Sequence, residues 1–366
     1  MATEVKERSV PRPVFTDAEA GAQEFPSWQS RTFNYFTPRK RRATVYEDVT
    51  VDVQPDPARH LSQGWVYEFA NGVGGYPADW TILKSSNWHE FLDPNEEWEQ
   101  TIYRNNANVV RQISQNIEQG RLAGAFAQFN SAWVRVLERH VFAWAHVEHG
   151  IGLHVYTPAQ RDAPTNMINN AMAVAAAHKL RFAQDLILYN LTLSEEIDGF
   201  QGSDHKAAWQ QDPVWQPTRE LTESLTGIRD WAEALFATTA VFEPLIGELF
   251  RSGFVMQVAA PHGDFVTPTI IGAGEADAAR DQRAARVLFR MLSDDEAHGA
   301  GNREIMQGWL DEYVPRAVEA GRRLQPIWSQ LSDRVIRFED SFDRSRAKLD
   351  TLLGEIGLET PKEVHA

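Results

Sequence analysis

The chain has 366 residues, 43% of them apolar, and its 36 basic and 51 acidic side chains give a formal net charge of −15. Such a chain has room for one large core or two domains, and its acidic balance disfavours nucleic acid or an anionic membrane as a partner, because phosphate binding needs a positive field. It contains no cysteine, which excludes disulfides, thiolate nucleophiles and Cys-ligated zinc or iron–sulfur sites.

Residues 1–95 show little helical periodicity. The stretch from Met1 to Phe25 is polar and charged, with Pro11 and Pro13, and lacks the apolar h-region of a secretory signal. No apolar run approaches the ~18–20 residues of a membrane span, so a cytoplasmic location is expected. Pro26, Pro38, Pro55, Pro57, Pro77 and Pro94 interrupt the region, and Gly72, Gly74 and Gly75 add a glycine-rich patch without the strand–turn–helix context of a phosphate loop. Thr44 to Val53 alternates β-branched residues and reads as extended. Arg39-Lys40-Arg41-Arg42 is a local basic cluster suited to an acidic protein surface. Trp28, Phe33, Tyr35, Phe36, Trp65, Tyr67, Phe69, Trp80 and Trp88 argue against disorder, which is aromatic-poor. The region therefore reads as an aromatic-rich arm laid across another subunit, or as an irregular lobe folded on its own domain. The 12 tryptophans and 19 phenylalanines of the chain suit a thick helical core, a permanent subunit interface, or both.

From Asp93 the pattern becomes helical. Asp93-Pro94-Asn95-Glu96-Glu97 reads as an N-terminal cap, with the helix running to Gln119 and stopping at Gly120. Leu122, Phe126, Phe129, Trp133, Val136, Leu137, Val141, Trp144, Val147 and Ile151 then hold spacings of three and four over about eight turns. Thr165 to Ile197 forms another long helix, Ala-rich in its middle, where a neighbour can approach closely. Gly199 to Pro217 reads as a loop. Residues 218–251 read as helix kinked at Pro244, which removes an intrahelical bond. After a break at 261–274, a helix of about 37 residues is predicted from Glu275 to Asp311, and Pro315 opens a last one to Leu353; such lengths far exceed the usual 10–14 residues and indicate a bundle. The domain organisation expected is an N-terminal arm over 1–95, a helical domain over 96–355 and a tail over 356–366.

The candidate chemistry is thin. Carboxylate-bridged di-iron bundles take a Glu from each of two helices and a Glu-x-x-His from each of two others. None of the 11 histidines has a glutamate three residues before it. Asp295-x-x-His298 comes nearest, on a stretch read as helix, where the two side chains share a face. His146 and His149 are i,i+3 neighbours, with His140 and His154 nearby, but two imidazoles alone leave a metal undercoordinated. Glu195, Glu196, Glu243 and Glu248 are helical carboxylates that read as salt-bridged or solvated. No Gly-x-Ser-x-Gly elbow occurs. These residues support no catalytic, cofactor or metal assignment in this chain. The alternative is an unusual metal-ligand set drawn from Glu148, Glu196, Glu243, Asp295, His149 and His298, which would make the chain a stand-alone di-iron oxidase. A helical scaffold unrelated to oxygenases is a third reading.

Ser30-Arg31-Thr32-Phe33-Asn34-Tyr35-Phe36-Thr37-Pro38 and Trp88-His89-Glu90-Phe91-Leu92-Asp93-Pro94, continuing into Tyr103-Arg104, resemble the hydroxylase small (beta) subunit of soluble bacterial di-iron monooxygenases. His146-Val147-Glu148-His149-Gly150 and Asp294-Asp295-Glu296-Ala297-His298 are also similar, and the resemblance spans roughly 25–350, closest to the propane-oxidising members. It implies an all-α, ferritin-like (ribonucleotide-reductase-like) bundle of long helices with an irregular N-terminal arm. It also implies an α2β2 hydroxylase, served by a coupling protein and by a reductase that uses NADH through flavin and iron–sulfur groups. The partner large (alpha) subunit of that family holds the di-iron centre and hydroxylates a small hydrocarbon, propane to 2-propanol among them. The small subunit carries no iron and scaffolds the large one. No Glu-x-x-His is present here to receive the family's ligands, and Asp295 and His298 match only a degenerate half of one motif.

Overall fold

The structure, a computed structural model, describes residues 42–51, 80–331, 333 and 335–365, together with a two-residue antiparallel pairing of β1 (Gln23–Glu24) with β2 (Phe33–Asn34). Most of the expected N-terminal arm, including the basic run before Arg42, the glycine-rich patch and Trp65, lies outside the described residues. Apart from the β1–β2 pair, the described residues form helices and their connections. The stretch from Thr44 read as extended is instead α1 (Val45–Thr50). Its β-branched alternation is overridden by a capping box, in which Thr44 Oγ1 accepts from Glu47 N–H and Glu47 reaches back to Thr44 N–H.

α2 (Glu99–Leu122) starts after Trp98, whose extended backbone N–H donates to Thr101 Oγ1 at 2.8 Å. It runs through the expected stop at Gly120 and ends where Gly124 turns left-handed at φ 62°. Gly120 serves packing instead, since an added Cβ would sit 3.1 Å from the Val266 side chain.

Four long rods form the core: α3 (131–162), α4 (Asn166–Glu196), α7 (231–258) and α8 (Thr267–Asp294). α4 packs on α3 and α8, and α7 closes the ring by packing on both of these. α3 opens with Asn130 accepting from Ala132 N–H, and α4 with Thr165 accepting from Ile168 N–H. α2 lies over α4 and α8. The stretch from Gly199 read as loop contains α5 (Asp204–Gln211), too short to show a periodicity. α6 (Gln216–Gly227) is severed from α7 by Asp230, which caps α7 by accepting from Ala232 and Glu233 N–H. α7 accommodates Pro244 inside a π-helical stretch, Ala237–Gly247. A wider turn tolerates the missing N–H, so the rod continues through the expected kink.

The predicted helix from Glu275 to Asp311 is two helices. α8 begins earlier, at Thr267, and ends at Asp294, and α9 (Gly299–Arg323) begins after a tight turn. Asp295 Oδ1 accepts from Ala297 and His298 N–H, and its other oxygen accepts from Ser86 N–H at 2.6 Å. A short side chain that captures backbone donors in this way ends a helix more effectively than any pattern of apolar residues. Pro315 lies on the exposed side of α9 rather than at a helix start. Separate helices α10 (Gln325–Trp328) and α11 (Phe338–Glu355) complete the chain, and α9 and α11 both pack against α7.

The core is continuous and aromatic. Trp133, Trp144 and Trp215 are fully buried. Trp144 stacks on Phe250 at 5.2 Å, and Phe254 meets Trp328 at 4.3 Å between ring centres. No described helix is long and apolar enough to cross a membrane.

Candidate functional site

At the centre of the bundle each of the four rods directs charged side chains inward. α3 supplies Glu148, α4 supplies Lys179, α7 supplies Glu243 and Arg251, and α8 supplies Glu275. Lys179 Nζ lies 3.0 Å from Glu148 Oε2 and is ion-paired with Glu243 Oε1. Arg251 Nη1 is 3.1 Å from Glu148 Oε1, its Nη2 is 2.6 Å from Glu243 Oε2, and its Nε pairs with Glu275. Two carboxylates are thus bridged twice, by an ammonium and by a guanidinium, while a third engages the back of the guanidinium.

Neighbouring groups complete the shell. Trp144 Nε1–H donates to Glu148 Oε1 at 2.6 Å, its ring lies 5.3 Å from the Arg251 guanidinium, and Ser252 Oγ donates to Glu275 Oε2 at 2.7 Å. Gly247 makes room, because a Cβ there would fall 2.5 Å from Glu243 Oε2 and 2.9 Å from Arg251 Nη1.

Except for the half-buried Glu275 and Ser252, these groups are almost wholly removed from water. Burial pushes the Glu243 carboxyl up, but Arg251 and Lys179 outweigh it and hold the group at about 2. Burial lowers the Lys179 ammonium, and Glu148 and Glu243 more than reverse this, so it stays charged. The cluster is therefore a set of fixed charges, because removing one would leave its partners buried and unpaired.

This layout has the plan of a ferritin-like metal centre, with inward polar groups from four helices, but its donor chemistry does not fit a di-iron site. The inward position of α4 is an ammonium, and three residues on stands Phe182; on α8, Glu275 is followed three residues on by Ala278. Lysine and arginine have no lone pair to offer while charged. Among the described residues no group of three or more His, Asp or Glu side chains is arranged to hold a metal ion.

The residues singled out from sequence are dispersed, apart from Glu148 and Glu243. Glu196, with Glu195, pairs with Arg121 on the surface, and Glu248 pairs with Lys348 at 2.5 Å. Asp295 and His298 sit in the α8–α9 turn rather than on one helical face. His149 is exposed, whereas His146 turns toward α5 and meets His205 at 3.1 Å, so these two histidines do not converge. His140 is buried, accepting from Trp215 Nε1–H at 3.1 Å and facing Gln330. Lys179, Arg251 and Glu275 escaped the sequence reading. The available signal was a charge set within otherwise apolar or Ala-rich helical segments.

A groove of about 620 Å³ between α7, α8 and α11 is lined by Glu248, Ser252, Arg286, Arg344, Ser345 and Lys348. Lys348 is paired with Glu248 and Arg286 with Glu355, so the groove carries little uncompensated charge.

Known proteins place this geometry. Residues 65–296 match the family model described as methane/phenol/alkene hydroxylase. The propane 2-monooxygenase hydroxylase component small subunit of Mycolicibacterium goodii is 56% identical over 98% of each chain. The methane monooxygenase component A beta chain of Methylosinus trichosporium is 24% identical over 87% of this chain and 82% of its own. Among solved structures, xenon-pressurized phenol hydroxylase from Pseudomonas sp. OX1 superposes with a TM-score of 0.73 at 19% identity, covering 88% of this chain and 92% of that one, which speaks to the fold alone. The chain belongs to the small-subunit family of di-iron monooxygenase hydroxylases.

Proposed function

We propose that this chain is the non-catalytic small (beta) subunit of a multicomponent, NADH-dependent hydroxylase, and that it scaffolds an iron-bearing large (alpha) subunit in an α2β2 assembly. Lys179 and Arg251 carry the proposal: two side-chain cations hold together the inward carboxylates of a ferritin-like bundle, so its centre is closed by ion pairs. A core fixed in this way presents rigid outer helix faces, and a catalytic constellation in a neighbouring subunit depends on rigid support. In this reading no residue of the chain is catalytic, binds a cofactor or ligates metal.

The relatives named as propane 2-monooxygenase small subunits, 55–56% identical over almost the whole chain, favour propane, oxidised to 2-propanol, as the substrate of the assembly. The substrate pocket and the di-iron centre then belong to the large subunit. A reductase with flavin and iron–sulfur groups and a coupling protein complete the cytoplasmic system, while residues 80–95 pack on this chain's own bundle. Co-expression with and without the large subunit tests the reading. Hydroxylation is expected only when the large subunit, reductase and coupling protein are present together. Propane oxidation by this chain with the reductase alone would overturn it.

A further inference from the structure

Next to Lys179 on α4 stands a second buried group, His178, only 2% exposed. Its Nδ1 is 2.8 Å from Asp281 Oδ1, and its Nε2 is 3.6 Å from Glu97 Oε2 and 3.7 Å from Asp277 Oδ1. A neutral imidazole has one nitrogen with a lone pair and no proton. Whichever nitrogen that was, it would point a lone pair at a buried carboxylate, so the doubly protonated ring suits the site best: it donates to Asp281 and lies at ion-pair distance from Glu97 and Asp277.

The surroundings are anionic without it. Asp277 and Asp281 face it from α8, and Glu97 faces it from the segment before α2. Asp185 of α4 pairs with Arg181, which also holds Asp277 at 2.5 Å. Arg280 holds Asp277 at 2.5 Å and stands 3.8 Å from Glu97. Lys179 is engaged with its own two carboxylates, and the buried Tyr156 hydroxyl of α3, pushed up by burial and by Asp281, stays neutral.

The carboxylates are not equally held. Asp277 has two guanidinium partners, and Asp281, whose second oxygen has no hydrogen-bond partner, is carried on the backbone of α8. Glu97 lies outside any helix, just after Glu96, whose φ of 51° is unusual for a non-glycine residue. Its other ties are Asn105 Nδ2 at 2.9 Å, the distant Arg280, a backbone carbonyl that accepts from Asn170, and a backbone N–H that donates to the Asp93 carboxyl. It also lines a groove of about 480 Å³ with Asn95, Arg104 and Arg283. If the imidazole loses its proton, Glu97 is the carboxylate that can swing into water.

We propose that His178 is a structural imidazolium that clasps Glu97, and that loss of its proton opens the segment leading into α2 while the bundle centre stays closed. Burial alone would lower the His178 titration, but Asp281, Asp277 and Glu97 outweigh it and raise it. The contribution of the clasp is then complete below about pH 6.5, where a free imidazole titrates, and is lost by up to roughly tenfold per pH unit until the raised folded value is passed.

The test follows the full chain with 15N-labelled histidine, using His178→Asn to identify the ring signals, together with amide exchange over 93–105. Above about pH 6.5, where a free imidazole loses its proton, His178 should keep both ring protons to higher pH than a free imidazole does. On further alkalinisation, exchange in 93–105 should accelerate ahead of exchange in α3 and α7, and Glu97→Gln should move that transition to lower pH. If His178→Asn does not fold, the Glu97→Gln shift alone decides. A His178 ring that titrates at or below the free-imidazole value, or a transition that Glu97→Gln leaves in place, overturns the proposal.

Discussion

Lys179→Met removes one of the two cations that bridge Glu148 and Glu243 and keeps most of the side-chain volume. The remaining cation, Arg251, already serves both carboxylates and Glu275. Breaking one partner out of a buried ionic cluster costs about 3–5 kcal/mol, because the charge left behind has no water. With an unfolding entropy of about 2.1 cal/mol/K per residue over 366 residues, that corresponds to a fall in Tm of roughly 4–6 °C. Thermal unfolding followed by tryptophan fluorescence reads it, since Trp144 contacts both Glu148 and Arg251. Adding Glu243→Gln should recover part of the loss by removing the unpaired charge, giving a coupling energy of about 1–3 kcal/mol in a double-mutant cycle. A single-variant shift below about 1 °C, or losses that simply add, would refute the claim that these groups act as one unit.

Gly247→Ala should cost about 1–3 kcal/mol, measured by urea unfolding, because its methyl group would displace both Glu243 and Arg251. Asp295→Ala should lower stability by about 1 kcal/mol through loss of the turn that ends α8, while the iron content and hydroxylation rate of the assembled enzyme stay unchanged. Burial holds His140 down to about 4, so it is neutral in the fold. Its folded value lies below the unfolded one, so stability should fall as pH drops from about 6.5 toward 4, and His140→Gln should flatten that part of a Tm–pH curve.

The fold class was legible because long apolar periodicities and helix caps are local. Thr165 announced α4 to within a residue, and the spacing from Leu122 to Ile151 traced most of α3. The errors fall where a single side chain overrides the pattern. Asp295 cut one predicted helix in two, Asp230 did the same between α6 and α7, and the Thr44–Glu47 capping box turned a β-like string into α1. The bundle centre was half legible. Glu148 and Glu243 were noticed as carboxylates, but their meaning depends on Lys179, Arg251 and Glu275, which come from other turns and other helices. No spacing rule links residues about a hundred positions apart. The shared face expected of Asp295 and His298, which were given no metal role, is absent for the converse reason: an i,i+3 spacing shares a face only if the helix continues, and here it ends.

In the proposed reading ion pairs, and not iron, close this bundle. Its most direct test is metal analysis of the purified chain after anaerobic loading with ferrous iron, alongside the hydroxylase assembled with the large subunit. Iron is expected to scale with the large subunit alone, and the thermal stability of the small subunit to be unchanged by ferrous iron or by chelation. Stoichiometric iron in the isolated chain, with a stability that rises on loading and falls on chelation, would contradict it.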